Sequence, residues 1–186
     1  MFSRAVRAYI RRILHLDKDS RMLEIAIRNG LKIGKDCNIQ TGCIIDPSHC
    51  WLIEIGDRCT FAPHVHILAH DASTKRPLGM TRLGRVEIGN DVFVGAGTII
   101  LPNVKIGNKV VIGAGSVVSR DIPENSVALG CPARVICTYD EYIYKKEEEL
   151  KTKPCFDFSY TYNEITLERK KEMIDALKKE SVGYIV

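Results

Sequence analysis

Residues 88–122 read IGNDVFVGAGTIILPNVKIGNKVVIGAGSVVSRDI, and a period of six residues decides how this stretch folds. An aliphatic residue recurs at every sixth position without a gap: Ile88, Val94, Ile100, Ile106, Ile112 and Val118. An amphipathic helix places apolar residues three or four apart, and an isolated strand alternates over only a few residues. A strict period of six fits neither pattern, and a short period held this long is typical of a solenoid.

Each six-residue unit is predicted to form a short strand followed by a turn. Three units make one triangular coil, and successive coils stack at the strand spacing of about 4.8 Å. The recurring aliphatic residue is expected to point inward and to stack on its counterpart in the next coil. A glycine follows four of these aliphatic residues: Gly89, Gly95, Gly107 and Gly113. We expect these glycines to serve turns that need a positive φ angle.

The run IGNDVFVGAGTIILPNVKIGNKVVIGAGSVVSRDIPENSVALGCPARVI, residues 88–136, resembles the hexapeptide-repeat acyltransferases. The likeness is nearest to maltose and galactoside O-acetyltransferases, with serine and xenobiotic acetyltransferases as more distant relatives, and it covers residues 30–137. The resemblance implies a left-handed parallel β-helix, although crossover connections between parallel strands are otherwise right-handed. It also implies acetyl-CoA as co-substrate and a homotrimer with the active site between subunits. Threefold symmetry is consistent with a triangular prism.

The chain is predicted to have three segments. Residues 1–32 form an N-terminal helical segment, residues 33–137 form the β-helix with a projecting loop at 71–85, and residues 138–186 form a C-terminal helical extension. The extension is expected to contain a helix near 138–151, which could cap the solenoid, and a second helix near 166–179.

The six-residue period fails once near the start of the solenoid. It runs from Ile33 to Ile45, is lost within the sequence DPSHCW, and restarts at Ile55. Proline and serine in this sequence suit a turn that bulges out of the coil. Counting forward on the first register places Trp51 at an inward position, which predicts that its side chain packs in the core.

The composition, 45% hydrophobic and 27% charged residues, is that of a soluble globular protein, and a length of 186 residues indicates one domain, or one domain with helical attachments. The net charge of +4 is too small to indicate a nucleic-acid partner, and no apolar run reaches the roughly 18 residues that span a membrane. Seven cysteines include no C-x-x-C pair. Cys37, Cys43 and Cys59 lie at small interior positions, so we interpret them as packing residues of a cytoplasmic protein.

The N-terminal sequence FSRAVRAYIRRILHL places apolar residues on one helical face and several arginines elsewhere. Because arginines interrupt its apolar stretch, it is not a signal peptide. The helix could lie on an anionic membrane surface as a peripheral contact. Alternatively, it packs on the β-helix or on a neighbouring subunit.

The sequence HDASTKRPLGMTRLGR, residues 70–85, has no repeat and is predicted to project from one corner of the solenoid. Long loops without structure of their own are often functional. In the family that the sequence resembles, an arm at this place covers the active site of the adjacent subunit. Its basic residues could meet phosphate or an acidic substrate, and the alternative is a solvated loop.

His70, at the base of this loop, is the predicted catalytic residue. Acetyl transfer from a thioester to a hydroxyl requires removal of the hydroxyl proton during attack. An imidazole with an ordinary pKa near 6.5 is largely neutral at pH 7 and can accept that proton. The family that the sequence resembles carries its catalytic histidine at the matching position, just before the arm.

Asp46 is the second catalytic candidate. It lies inside IIDPS, where the repeat commonly has glycine. From an adjacent coil or subunit it could orient the imidazole of His70 or hold the substrate hydroxyl. The alternative is a carboxylate that caps its own turn, and Asp71 is a weaker candidate for the same roles.

The resemblance also implies coenzyme A contacts at six matching positions: Phe93, Ala96, Ala114, Ser119, Arg120 and Arg134. In the family, the aromatic residue lines the cleft, the two small residues leave room for the pantetheine arm, and the others lie near the far end of the coenzyme. A guanidinium group suits phosphate. A basic residue often follows three positions after the last of these, but this sequence has Cys137 there.

A zinc site is an alternative, because carbonic anhydrases with a related β-helix bind zinc through three histidines. His64 and His70 are one repeat apart and therefore lie on different sides of the triangle, and only His49 is available from an earlier coil. We therefore predict no metal.

The predicted function is acetyl-CoA-dependent O-acetylation of a sugar or saccharide hydroxyl, by direct transfer with His70 as general base. N-acetylation of an amino sugar or an antibiotic would use the same base and coenzyme groove. A non-catalytic β-helical scaffold is the alternative from another class. The presence of both His70 and Arg134 argues against the scaffold.

Overall fold

A computed structural model describes residues 21–186. These residues divide into two units, residues 21–139 and Asp140–Val186. The basic helix predicted near the N-terminus, with its membrane or subunit contact, lies outside the described residues. Within residues 21–186, no helix is both long and apolar enough to cross a membrane.

The first unit begins with helix α1, residues 21–28, and continues almost entirely as short strands. In chain order these are β1 (Lys32–Ile33), β2 (Asn38–Ile39), β3 (Ile44–Ile45), β4 (Ile53–Ile55), β5 (Thr60–Phe61), β6 (His66–Ile67), β7 (His70–Asp71), the one-turn helix α2 (Lys75–Leu78), β8 (Arg82–Leu83), β9 (Val86–Ile88), β10 (Val92–Val94), β11 (Ile99–Ile100), β12 (Val104–Ile106), β13 (Val110–Ile112), β14 (Val117–Val118), β15 (Ser126–Leu129) and β16 (Arg134–Thr138).

The strands form three parallel sheets, which are the faces of a triangular solenoid. Face A contains β1, β4, β9 and β12; face B contains β2, β5, β10, β13 and β15; face C contains β3, β6, β11 and β14. Strand β16 runs antiparallel to β15 and extends face B. Strands β7 and β8 pair antiparallel at the base of an arm that leaves the coil.

The register of the strands locates two insertions. In the regular coils, Ile88 pairs with Ile106, the aliphatic residue three repeats later. Between the first two coils, Ile33 pairs with Ile55, and the four residues in excess of three repeats fall in the connection from β3 to β4. Ile55 pairs with Ile88, because the arm adds fifteen residues between β6 and β9. Both insertions lie at the corner that joins face C to face A.

The recurring aliphatic residues are all buried and stack through the centre of the prism, as the period predicts: Ile88, Val94, Ile100, Ile106, Ile112 and Val118. The prediction for Trp51 is wrong. It lies in a 3-10 turn, Cys50–Leu52, and 52% of its surface is exposed. Because the insertion shifts the count, Cys50 and Ile53 are the residues that enter the core there.

The glycines after the aliphatic residues serve close packing, so the expectation of positive φ at these positions is wrong. A Cβ atom on Gly95 would lie 2.4 Å from the backbone nitrogen of Ala114 in the next coil. The positive φ angles fall at other turn residues, such as Asp91 at 57° and Gly97 at 69°. The repeat therefore keeps glycine where two coils approach closely.

The cysteines bear out the packing interpretation. Cys59 is fully buried, Cys37 and Cys43 pack against the core, and none of the seven cysteines, all within residues 21–186, forms a disulfide. Burial raises the pKa of the Cys59 thiol to about 11, which keeps it protonated and unreactive at neutral pH.

The outer surfaces of faces A and C differ in character. Side chains on face A form charged rows, with Lys32 Nζ 2.6 Å from Glu54 Oε1 and Lys105 Nζ 3.8 Å from Glu87 Oε2. On face C the outward residues are paired across neighbouring strands and are mostly apolar: Ile44, His66, Ile99 and Val117. Strand alternation places these residues outside, opposite the buried aliphatic stack.

The second unit contains α3 (Tyr139–Leu150), β17 (Cys155–Phe156), α4 (Leu167–Glu180) and β18 (Tyr184–Ile185). The two helices lie close to the spans expected from the sequence. Strands β17 and β18 pair in parallel. Thr166 caps α4 by accepting a hydrogen bond from the backbone N–H of Arg169.

Candidate active site

The candidate site lies at the corner between faces C and A, where both insertions occur. Asp46 follows β3, and His70 begins β7, one coil further along the solenoid. Pairing of Ile45 with Ile67 brings these two connections together, and the Asp46 N–H donates to the carbonyl of Ile67 at 2.8 Å. The register of the strands therefore places a carboxylate and an imidazole side by side.

The Asp46 carboxylate has no exposed surface and accepts four hydrogen bonds. Its Oδ1 accepts from the backbone N–H groups of Ser48 and His49, at 3.0 and 3.1 Å. Its Oδ2 accepts from the backbone N–H of Ala69 at 2.9 Å and from Nδ1 of His70 at 2.5 Å. Asp46 thus both caps its own turn and holds the imidazole, which are two roles that the sequence left as alternatives.

The environment keeps Asp46 ionised at neutral pH. Burial by itself raises the pKa of this carboxyl, but the hydrogen bonds from His70, Ala69 and Ser48 outweigh it, and the net pKa lies below the ordinary value. An ionised Asp46 assigns the proton of the neutral imidazole to Nδ1 of His70. The Nε2 atom then carries the free lone pair, and 31% of the His70 side chain is exposed. This is the tautomer that a general base requires.

His49 is a site residue that the sequence considered only as a distant zinc ligand. Its ring centroid lies 5.1 Å from that of His70, and its Nδ1 lies 4.0 Å from Oδ1 of Asp46. That nitrogen is buried and has no hydrogen-bond partner among residues 21–186. The four-residue insertion was the signal in the sequence that could have identified His49 as a site residue, because side chains leave the regular packing pattern where a repeat is interrupted.

Within residues 21–186, one group of side chains brings potential metal-ligand atoms close together. These are Asp46, His49 and His70, whose ligand atoms lie within 4.8 Å of one another. Both carboxylate oxygens already accept N–H groups, and Nδ1 of His70 is engaged by one of them. The arrangement is that of a hydrogen-bonded pair, and the absence of a metal remains a prediction. His64 and His66 do not belong to this group.

Asp71 is placed as a turn residue of the arm. Its Oδ1 accepts the backbone N–H of Ser73 at 2.9 Å, and this hydrogen bond is the main reason that its pKa is lowered. The structure therefore shows Asp71 capping its own turn.

The six coenzyme candidates are not gathered around His70 within one chain. Phe93 points outward from face B with 44% of its surface exposed, and the turns of Ala96 and Ala114 stack at the corner between faces B and C, where the Gly115 N–H donates to the Ala96 carbonyl. Arg134 begins β16 after that corner. The exposed side chains of Ser119 and Arg120 alone lie on the same corner as His70. The candidates thus lie on both sides of face C.

Coils of short parallel strands with a carboxylate–imidazole pair at one corner define a β-helical protein with a candidate catalytic site. Comparisons with known proteins agree with this class. The family described as "Bacterial transferase hexapeptide (six repeats)" matches residues 85–120. Protein CapG of Staphylococcus aureus is 39% identical over 118 residues, which cover 61% of this chain and 69% of CapG.

Two solved structures are similar as well. A maltose O-acetyltransferase from Clostridium difficile 630 is 42% identical, with a TM-score of 0.51 and 57% of each chain covered. The hexapeptide-repeat-containing acetyltransferase VCA0836 of Vibrio cholerae, solved in complex with acetyl coenzyme A, is 27% identical. Its TM-score is 0.52, with 59% of this chain and 61% of that chain covered.

The chain therefore belongs to the hexapeptide-repeat acyltransferase family, and its solenoid is a left-handed parallel β-helix. The family and the fold predicted from the sequence are both confirmed. The chain spans less than two thirds of the two solved proteins that it matches.

Proposed function

We propose that this chain transfers an acetyl group from acetyl-CoA to a hydroxyl of a saccharide, with His70 as general base. The observation that carries the proposal is the hydrogen bond from Nδ1 of His70 to the buried carboxylate of Asp46. The VCA0836 complex supports acetyl-CoA as the acetyl donor, and the similarity to a maltose O-acetyltransferase supports a saccharide as the acceptor.

The Asp46–His70 pair accounts for the proton transfers that this reaction needs. His70 Nε2 takes the acceptor's hydroxyl proton as that oxygen attacks the thioester carbonyl carbon. Asp46 stabilises the imidazolium that forms, as a buried carboxylate does in other acyl-transfer sites. Collapse of the tetrahedral intermediate breaks the carbon–sulfur bond, and the proton passes from Nε2 to the departing thiolate. The balance needs no covalent acetyl-enzyme and no metal.

The proposed enzyme is a homotrimer with each site shared between two subunits. Two observations support this. The catalytic pair and most of the coenzyme candidates lie at opposite edges of face C, so one chain alone does not gather them. In addition, three of the four outward residues in the row on face C are apolar (Ile44, Ile99 and Val117, with His66 as the fourth), whereas face A is charged. Packing of an apolar face against a neighbouring subunit is favourable.

The state of the cysteines supports a cytoplasmic location as part of this proposal. None of the seven, which all lie within residues 21–186, forms a disulfide, and Cys59 is fully buried in the core. Free thiols in this number suit a reducing compartment.

The test is release of the coenzyme A thiol from acetyl-CoA with a panel of sugars, amino sugars and chloramphenicol-type acceptors. We expect release with a sugar hydroxyl acceptor, and a decrease of about 10²–10⁴-fold in kcat for His70→Ala because the base is lost. His64→Asn is the matched control, since asparagine tolerates the left-handed backbone at this turn histidine, whose φ is 62°. Unchanged turnover in His70→Ala would remove His70 as the base. No acceptor-dependent release and no coenzyme A binding would favour a scaffold.

A further inference from the structure

Three aromatic rings form a row that starts at the proposed base. The centroid of His49 lies 5.1 Å from that of His70 and 5.3 Å from that of Trp51, with interplanar angles of 49° and 55°. Trp51 ends the row with 52% of its surface exposed. A large indole left half-exposed, one ring away from the proposed base, calls for an explanation, because tryptophan contributes much to stability when it is buried.

The row exists because of the insertion between β3 and β4. Asp46 Oδ1 holds the backbone N–H groups of Ser48 and His49, and the Leu52 N–H donates to the His49 carbonyl at 3.0 Å, which closes the 3-10 turn. The same carboxylate therefore orients His70 and fixes the turn that carries Trp51. The indole and the base keep a defined spacing because both are tied to one buried group.

We propose that Trp51 is the platform on which the acceptor stacks, with a pyranose ring as the chemical class that it takes. This inference rests on the proposed function and names the acceptor part of the same site. One face of a pyranose is lined by C–H groups with slight positive charge, and the face of an indole carries the negative part of its quadrupole. An aromatic wall beside a few polar groups is also the common composition of a small-molecule site.

His49 acts in this arrangement as a positioning residue. Its ring fills the space between the base and the indole, so it sets how far the stacked sugar lies from Nε2 of His70. Its Nδ1 is buried and lacks a hydrogen-bond partner in the part of the chain that the structure describes, and a packing role alone does not explain this cost. Proximity of the acceptor hydroxyl to the base is the benefit that offsets this cost.

Trp51 is the only tryptophan in the chain, so emission excited at wavelengths that tyrosine does not absorb reports this position alone. We would titrate the full chain, with coenzyme A but without acetyl-CoA, with maltose, a methyl galactoside and glucosamine. The expected result is a saturable change in emission, with a shift to shorter wavelengths as the sugar displaces water from the indole. Without an acetyl donor no transfer occurs, so binding is measured separately from chemistry.

Kinetics on two substitutions gives the second measurement. Trp51→Ala is expected to raise the acceptor KM by about tenfold while the acetyl-CoA KM stays within about twofold. Trp51→Phe should keep most of the affinity, because a smaller aromatic face remains. Tyr162→Ala, which removes an exposed aromatic residue in the second unit, is the matched control for loss of an aromatic side chain.

The outcomes separate this inference from the proposed function. Emission that responds to a sugar supports the platform even if no acetyl transfer is found. Acceptors that are acetylated by the wild-type chain but leave Trp51 emission unchanged would overturn the platform and leave the transferase intact. An unchanged acceptor KM in Trp51→Ala, or an equal rise in both KM values, would also overturn it. A response to planar aromatic acceptors and to no sugar would reject the pyranose class.

Discussion

Two connections turn the same corner of the solenoid, between faces C and A, and they differ in length and content. Residues 101–103 join β11 to β12 with three residues, and residues 46–52 join β3 to β4 with seven. The short connection contains no ionisable side chain. The long one holds a buried carboxylate, an imidazole and the only indole of the chain. Regular coils also bury polar side chains, such as Thr98 and Ser116, but these are uncharged, whereas the inserted turn buries the carboxylate of Asp46.

Of the substitutions that test this difference between the long and the short connection, Asp46→Asn is expected to have the largest effect. Each oxygen of Asp46 accepts two N–H groups, so the amide NH2 of asparagine would face at least one backbone donor in either orientation, and next to His70 it would favour the tautomer with the proton on Nε2. We expect kcat to fall by about 10²–10³-fold, since the imidazole loses its orientation and its counter-charge. The loss of stability should be about 1–3 kcal/mol, the cost of unpaired buried donors. Turnover and urea unfolding measure the two effects.

Asp57→Asn is the matched control in a regular turn. Asp57 Oδ1 accepts the backbone N–H of Lys35 at 2.7 Å, and an asparagine already has this role one coil further on, where Asn90 Oδ1 accepts the Asp57 N–H at 2.7 Å. We therefore expect turnover and stability close to wild type. If Asp57→Asn were as damaging as Asp46→Asn, the contrast between regular and inserted turns would not hold.

A pair of glycine substitutions tests the regular coils in the same way, with a smaller expected effect. The Cβ atom of Gly95→Ala would meet the backbone of Ala114 at 2.4 and 2.8 Å, so two coils must separate, at a cost of about 2–3 kcal/mol. Gly97→Ala meets nothing within 4 Å, so only its positive φ is unfavourable, by about 1 kcal/mol. Urea unfolding distinguishes them. Equal losses would show that backbone conformation, rather than coil spacing, selects glycine after the aliphatic residue.

The sequence predicted what the period controls and failed where the period stops. Every inward aliphatic residue from Ile88 to Val118 was predicted, because each repeats the environment of the one below it. The side-by-side placement of Asp46 and His70 was only an alternative, since it depends on how strands of two successive coils pair. Trp51 was assigned to the core and His49 was missed as a neighbour of the base. An insertion of four residues shifts which later residues point inward, and the sequence near the insertion does not show how large that shift is.

The carboxylate of the inserted turn also predicts a dependence of stability on pH, the smallest effect considered. The pKa of Asp46 is lower in the folded chain than its ordinary value of 3.8, so the unfolded chain binds more protons near that pH. The stabilisation is therefore fully present above about pH 5 and is lost as the pH falls through the folded pKa. Thermal unfolding between about pH 3 and pH 7 should show wild type losing more stability on acidification than Asp46→Asn.

Surface carboxylates with lowered pKa values, such as Glu54 and Asp91, are present in both the wild type and the Asp46→Asn variant, so their contributions to the pH dependence cancel when the two are compared. The difference between the two curves therefore isolates the inserted turn. Parallel curves would mean that the hydrogen bonds from His70 and the backbone only balance the burial of Asp46. In that case its value to the chain would lie in orienting the base alone. A gap between the two curves that narrows at low pH would mean that one buried group contributes both to the stability of the first coil and to the geometry of the base.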